Sequence, residues 1–594
     1  MDSFTKRIGS CLCVVSALVF ACSAGAADPN KVLRLGFADV EGMDPHQSTD
    51  SYSQAIQRSI FEGLYEWDYL SRPTKLFANT AIALPDITDS GKTWTIRVKP
   101  GIFFTDDPAF GGKPRELVAD DYVYSLKRFL DPALRFGGNP LITDAIVGAR
   151  PVVDAARQPG TKFDYDATIE GLRALDRYTL RLRLNEPNYP LIQGYLVTLA
   201  IARDVVEAAQ GDIRTRAVGT GPYRLKEWKQ GSRIVLEANP NYRTLSFPKS
   251  ADPAHADLVR SMKGKNLPQI GVIEVSLIAE ELPLLLEFER GKLDYVEFTT
   301  DVATRLLIDG NLKPELARRG TRYFPIPRSY ASFVYFNLDD PQLGGMSREH
   351  IALRRAIALG FDTASLAKTV YGGLALPLNQ IVPPGVTGHD AKLSTKSLYD
   401  SAAARALLDR FGYEKRDREG FRTNPDGKPL MLTMLTRPDR DTRDAETLWK
   451  KNMEAVGLRM QFREVPFQDM QKEAFAGNYQ LLHGLSWGGS PLGIGLFRQL
   501  YGKEPPAMNK SRFKFTDYDQ AMEQYMRMPT EQEQLPSAKK MSELALMYAP
   551  MVPTVVRLVN GFSQPWLMGC YPSPFWTYWK YYDIDIAHRR VPLQ

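Results

Sequence analysis

Gly484-Leu485-Ser486-Trp487-Gly488 fits G-x-S-x-G, the spacing that in α/β-hydrolases lifts a serine nucleophile onto a sharp strand-to-helix turn. The apolar residues before it read as a strand, as that turn requires. The requirement on the other side fails. A nucleophile elbow needs a helix directly after the serine, whereas Gly488-Gly489-Ser490-Pro491 postpones any helix, and the late His588 has no recognisable acid-and-histidine context. No H-E-x-x-H, C-x-x-C or P-loop occurs, so other catalytic chemistries have less support still. The same residues have a second use. A tryptophan such as Trp487 can cover a solute while supplying apolar contact area, core packing being its alternative role. An exported serine hydrolase and a binding module for signalling or chaperoning are therefore both open readings of the segment.

The residues upstream say what would position this segment. Leu430, Leu432 and Met434 form an apolar strand, and Trp449, Met453 and Val456 stripe a helix that ends at Gly457. Leu458, Met460 and Phe462 then alternate with Arg459, Gln461 and Arg463. Phe467 to Ala476 reads as another helix, and Tyr479 to Leu485 as a strand. Such a β-α-β-α-β run predicts a largely parallel sheet with right-handed crossovers. Ligands of these sheets lie beyond the carboxyl ends of strands. Here those residues are Ser486 to Ser490.

The N-terminal half reads as a different set of elements. Val32 to Phe37 is a strand with Leu33, Leu35 and Phe37 on one face. Met43-Asp44-Pro45-His46 follows as a loop, and with no metal-spaced partner His46 reads as structural. Trp94, Ile96 and Val98 alternate as a strand, Pro100-Gly101 turns the chain, and Ile102-Phe103-Phe104 is a second short apolar run. A helix comes next, with Asp120 and Asp121 at its positive end and Lys127 and Arg128 near the other. Tyr178 to Leu184 is a further strand. Val218 to Tyr242 then reads as a hairpin: Tyr223 and Leu225 share one face, Gln230-Gly231 breaks the run, and Ile234, Leu236 and Ala238 form the returning set.

Composition bounds the function classes. The 594 residues, 44% hydrophobic and 24% charged, suffice for more than one core. The net charge of +6 is spread over 75 basic and 69 acidic residues without a long basic run, which leaves nucleic-acid binding nothing to rest on. Lys6 and Arg7 precede an apolar segment, Cys11 to Ala21, too short to span as a helix. Small residues up to Ala27 then offer a signal-peptidase site. Export is the expectation, with a mature chain from Asp28; a lipoprotein anchored at Cys22 is the alternative. Processing at Asp28 leaves Cys570 as the single cysteine and excludes an intrachain disulfide.

The wording of several segments is more specific than their periodicity. Gly219-Thr220-Gly221-Pro222-Tyr223 followed by Ala238-Asn239-Pro240-Asn241-Tyr242, the Asp44-Pro45-His46 loop, Phe61-Glu62-Gly63-Leu64, and Phe336-Asn337 with the following helix resemble the family-5 periplasmic solute-binding proteins of ABC importers. The resemblance covers nearly all the mature chain. It implies an α/β, two-lobed periplasmic-binding-protein fold with a small α+β domain inserted in the first lobe. The implied boundaries are a leader at 1–27, first-lobe segments at 28–75, 191–321 and 550–594, an inserted domain at 76–190 and a second lobe at 322–549. It implies a monomeric receptor, without metal or cofactor, that takes a peptide or peptide-like solute and delivers it to a membrane permease. In the family, the loop after the DPH histidine faces a W-x-x-D loop across the cleft. That places Thr49, Asp50 and Ser51 opposite Trp487, Gly488, Gly489 and Ser490. The sequence departs from the family at Ser490, where an aspartate would take a peptide's free amine; a hydroxyl cannot neutralise an ammonium. Poor binding of free-amine peptides is the resulting expectation.

Overall fold

The computed structural model describes residues 27–393, 398–573, 575 and 578–589. The expected leader, including Cys22, lies outside the described residues apart from Ala27. Strand β1 (Asp28–Phe37) buries Leu33 and Leu35 while Val32 and Arg34 stay half-buried, as the alternation predicts. Helix α1 (Ser51–Ile60) is capped by Asp50, whose carboxylate accepts from the Ser53 backbone N–H at 2.6 Å. The inserted domain contains β2 (Asp86–Thr88), β3 (Thr93–Arg97), helix α2 (Ala119–Arg128), β4 (Leu172–Asp176) and β5 (Thr179–Arg183). Its strands form an antiparallel sheet in the order β2-β3-β5-β4, against which α2 packs. The second short apolar run does not become a strand. Phe103 makes only an isolated bridge to Glu116 and is exposed, while Ile102 and Phe104 are buried and anchor the loop.

The expected hairpin forms from β6 (Tyr223–Lys229) and β7 (Arg233–Ala238), paired antiparallel with a bulge between Leu225 and Glu227. The glycines ahead of it are required by close approach. A Cβ on Gly219 or Gly221 would stand 2.1 or 2.6 Å from the Ile60 carbonyl oxygen at the end of α1. The residues around this crossing converge on one buried acid. Glu62 accepts from Thr220 Oγ1 at 3.1 Å, from Tyr242 OH at 3.0 Å, from both Arg243 guanidinium nitrogens at 2.8 Å and from Asn79 Nδ2 at 3.3 Å. The two halves of the signature stretch are therefore fastened to the Phe61-Glu62-Gly63-Leu64 segment.

Strand β8 (Ile270–Leu277), helix α3 (Glu281–Glu289) and β9 (Tyr295–Phe298) complete this side of the sheet. The long β10 (Arg322–Phe336) leads to helix α4 (Arg348–Gly360), whose Ser347 cap accepts from the His350 N–H at 3.2 Å. Then come β11 (Ala375–Pro377), β12 (Met431–Thr436), α5 (Arg440–Ala455), β13 (Arg459–Glu464), α6 (Phe467–Ala476), β14 (Leu481–Gly488) and β15 (Met551–Ser563). β12 pairs in parallel with both β13 and β14, the arrangement the βαβαβ reading predicts. Trp449 of α5 is fully buried and stacks on Phe361.

One eleven-stranded sheet runs through the molecule in the order β13-β12-β14-β10-β15-β9-β1-β8-β7-β6, with β11 added on β15. Its middle is the antiparallel pair β10 and β15. Arg322–Pro327 pairs with Leu558–Ser563 beside β9, whereas Ala331–Tyr335 pairs with Met551–Val556 beside β14. Between the two stretches the register breaks, and Arg328, Ser329 and Tyr330 stand opposite the single residue Arg557. β14 flanks β10 on one side of this break and β9 flanks β15 on the other.

Candidate functional site

A cavity of about 390 Å³ lies over the break. Thr49 and Ser51 reach it from the start of α1, and Arg58 from its last turn. β9 contributes Glu297, β15 contributes Val559, and β10 contributes Arg328, Ser329 and Tyr330. Gly489 follows β14 and Phe575 comes from the C-terminal segment. Half of the Tyr330 surface is exposed, so an aromatic face is open at the junction. Ser329 is buried, and its hydroxyl has no hydrogen-bond partner among the described residues.

Charge in this cavity is sparse and mostly unmatched. Its charged lining consists of Arg58, Arg328 and Glu297. Glu297 opens onto the cavity yet is walled by enough protein that poor solvation pushes its carboxyl up, against the Tyr295 hydroxyl that donates to it at 2.9 Å and the nearby Arg328.

The sequence-predicted residues divide into two groups. Thr49, Ser51 and Gly489 come together on the cavity wall. The others have local duties. The Asp50 carboxylate is occupied as the cap of α1, and the Ser490 hydroxyl accepts from the Leu492 N–H at 3.1 Å. Gly488 and Trp487 lie inside β14, paired with Tyr330 and Ala331. The Trp487 side chain, expected to cover a solute, lies outside what the structure describes. Gly488 has φ +148°, and a Cβ there would meet the Ser329 carbonyl oxygen at 1.9 Å, so the close pairing of β14 with the junction depends on glycine.

The serine of the G-x-S-x-G pentapeptide is not on an elbow. The strand expected to end at Leu485 continues to Gly488, because Ser486 and Trp487 find backbone partners in β10. The Ser486 hydroxyl sits 3.0 Å from the Ser332 hydroxyl, and no imidazole is hydrogen-bonded to it among the described residues. A nucleophile needs a base within hydrogen-bond reach. His46 is buried beside Asp44, with Nε2 on the Ser125 carbonyl at 2.8 Å and Nδ1 3.3 Å from Arg128 Nε. Its role is structural, as its loop setting suggests. Near the C-terminus, Tyr578, Trp579, Tyr581 and Tyr582 are buried and pack into the core.

Glu297, Arg58, Arg328 and Tyr330 escaped the sequence reading. One signal was available for Glu297, a lone charge inside the apolar Tyr295-Val296-Glu297-Phe298 strand. Another was available for the junction: Pro325 and Pro327 remove ladder donors just before Arg328, which marks an interrupted strand.

One sheet runs through the two-lobed fold, and a polar cavity lies over the break in its central strands. The model for the bacterial extracellular solute-binding proteins, family 5, matches residues 76–507, and the chain belongs to that family. Members are solute-binding proteins, so the chain is a carrier of solute and not an enzyme. It is 25% identical over 478 residues to di/tripeptide-binding protein 2 of Pseudomonas aeruginosa, covering 78% of each chain. It is 24% identical over 485 residues to the periplasmic oligopeptide-binding protein OppA of Escherichia coli, covering 76% of each. Among solved structures, the unliganded open form of the murein tripeptide-binding protein MppA superposes with a TM-score of 0.71 at 19% identity, covering 93% of this chain and 97% of that one. HbpA2 of Haemophilus parasuis gives 0.72 at 16% identity, covering 93% and 100%.

Proposed function

We propose that the protein is the periplasmic receptor of an ABC-type importer, and that it captures a peptide or peptide-like solute in the cavity between the lobes and presents it to the permease. The observation that carries this reading is the position of the cavity. It takes residues from both sides of the break in β10, so a bound solute touches both lobes and gains contact as they approach. Relatives named for di- and tripeptides, oligopeptides and glutathione support a peptide-like solute. The Thr49–Ser51 segment and the Trp487–Ser490 segment form opposite walls in this reading, with Thr49, Ser51 and Gly489 making the direct approach. The protein acts as a monomer, exported through cleavage after Ala27, and N-terminal sequencing of the exported form should begin at Asp28; a lipidated Cys22 would refute that processing. Small-angle scattering combined with calorimetry tests the receptor reading. Saturating solute should lower the radius of gyration, with one molecule bound per chain and no turnover. An unchanged radius at saturation, or conversion of the solute, would refute it.

A further inference from the structure

The cavity lining carries three charges, of which Arg58 is half-buried and Arg328 and Glu297 are exposed, and none of the three is held in an ion pair among the described residues. Other arginines of the chain are held in place by partners: the buried Arg128 pairs with Asp44 at 2.6 Å, the half-buried Arg243 with Glu62 at 2.8 Å, and the buried Arg354 donates to three backbone carbonyls, those of Leu343, Gly345 and Tyr548. Arg58 and Arg328 have no hydrogen-bonded or ion-paired partner among the described residues, although both line the cavity. Glu297 accepts from the Tyr295 hydroxyl alone and forms no ion pair. Its carboxylate therefore keeps acceptor capacity for a further donor.

Arg328 is close enough to Glu297 for its charge to act on that carboxyl, yet the two do not form an ion pair. The remaining lining is neutral, with hydroxyl, amide, glycine and aromatic groups. The volume, about 390 Å³, is near the small end of the roughly 300–1,000 Å³ usual for ligand pockets. A short solute fits it.

On the receptor reading given above, we infer that this cleft selects short peptide-like solutes bearing one ammonium and two carboxylates, net charge −1, with Glu297 receiving the ammonium and Arg58 and Arg328 receiving the carboxylates. Two uncompensated guanidiniums and one carboxylate leave the empty site one positive charge in excess. A solute of the opposite arrangement satisfies all three at once, and each guanidinium presents the planar fork that suits a carboxylate. The acid that the sequence lacks at position 490 is supplied instead from β9. Free-amine solutes then bind well, which replaces the expectation drawn from Ser490.

Calorimetry on the mature chain tests this with four probes: Ala-Glu-Ala, Ala-Gln-Ala, Ala-Lys-Ala and N-acetyl-Ala-Glu-Ala. Ala-Glu-Ala should bind about tenfold or more tightly than each of the others. Glu297→Gln should make the free and acetylated forms bind alike, and Arg58→Gln or Arg328→Gln should erase the advantage of Ala-Glu-Ala over Ala-Gln-Ala. Thermal midpoints of the three variants, all at cavity-facing positions, serve as the folding control. Equal binding of the free tripeptides, or an acetylation penalty that survives Glu297→Gln, overturns the inference while leaving the receptor reading intact. Failure of all four to bind overturns the peptide reading and this inference together.

Discussion

Replacing Glu62 by glutamine should weaken the first lobe far more than a surface substitution would. The Glu62 carboxylate is buried and accepts five hydrogen bonds, two of them from Arg243. Glutamine keeps the shape but removes the charge and turns one acceptor into a donor facing other donors. Arg243, largely buried, is then left without its counter-ion, a defect of about 3–5 kcal/mol. At roughly 2–4 °C per kcal/mol for a lobe-sized unit, the midpoint of first-lobe melting should fall by about 6–20 °C. Scanning calorimetry of the two proteins reads this directly. The double variant Glu62→Met, Arg243→Met should recover much of the loss, because a buried pair replaced by apolar side chains is often close to neutral. The pH dependence has a defined sign. Burial alone would raise the Glu62 carboxyl, but the charge and hydrogen bonds of Arg243, together with the Lys580 charge and the Tyr242 hydroxyl, hold the carboxyl below its ordinary 4.5. A depressed folded value means that the stabilisation is complete above pH 4.5 and is lost as pH falls through the folded value. A midpoint shift below about 2 °C for Glu62→Gln, or a double variant less stable than either single one, would refute the account.

Gly488→Ala should destabilise by about 1–3 kcal/mol from the backbone conformation alone, and should weaken solute binding because the added methyl displaces Ser329 from β14; Gly194→Ala, with room for its methyl, is the neutral control, and native-like affinity in the first variant would contradict the argument. Ser486→Ala should leave any background ester hydrolysis and the solute affinity unchanged, since among the described residues the hydroxyl reaches only Ser332; loss of a measurable hydrolysis rate would revive the nucleophile reading. Cys570 is buried, and burial pushes its thiol up to about 12. The mature chain should therefore show no reaction with a thiol reagent at pH 8 until denaturant unfolds it, and then one thiol; prompt native labelling would count against the packing around it.

How much of this was legible in the sequence follows from how local each determinant is. The hairpin at Tyr223–Ala238 and the βαβαβ run ending in β14 were readable, because alternation and helical stripes of apolar residues survive tertiary packing unchanged. The end of β14 was misjudged by three residues. Gly488 and Gly489 look like a stop from sequence, but β10 supplies backbone partners for Ser486 and Trp487, and that partner is more than 150 residues away. The family wording around Gly219 and Glu62 was visible, yet its meaning was structural: it records a close backbone crossing and one buried acid. The charges of the cavity were the least legible. Arg58, Glu297 and Arg328 sit in a helix, a strand and a strand interruption, and nothing in their spacing brings them together.

The shared sheet also sets which contacts can sense closure. On the receptor reading proposed above, with the lobes turning about the paired strands β10 and β15, atoms near Arg328–Tyr330 lie close to the axis and travel little, whereas atoms far from it sweep the longest arc. A solute seated on the axis meets those floor residues almost equally in open and closed forms. Floor contacts then govern whether the solute stays at all, and the distal rims, through their longer lever arm, govern whether its presence is reported to the membrane.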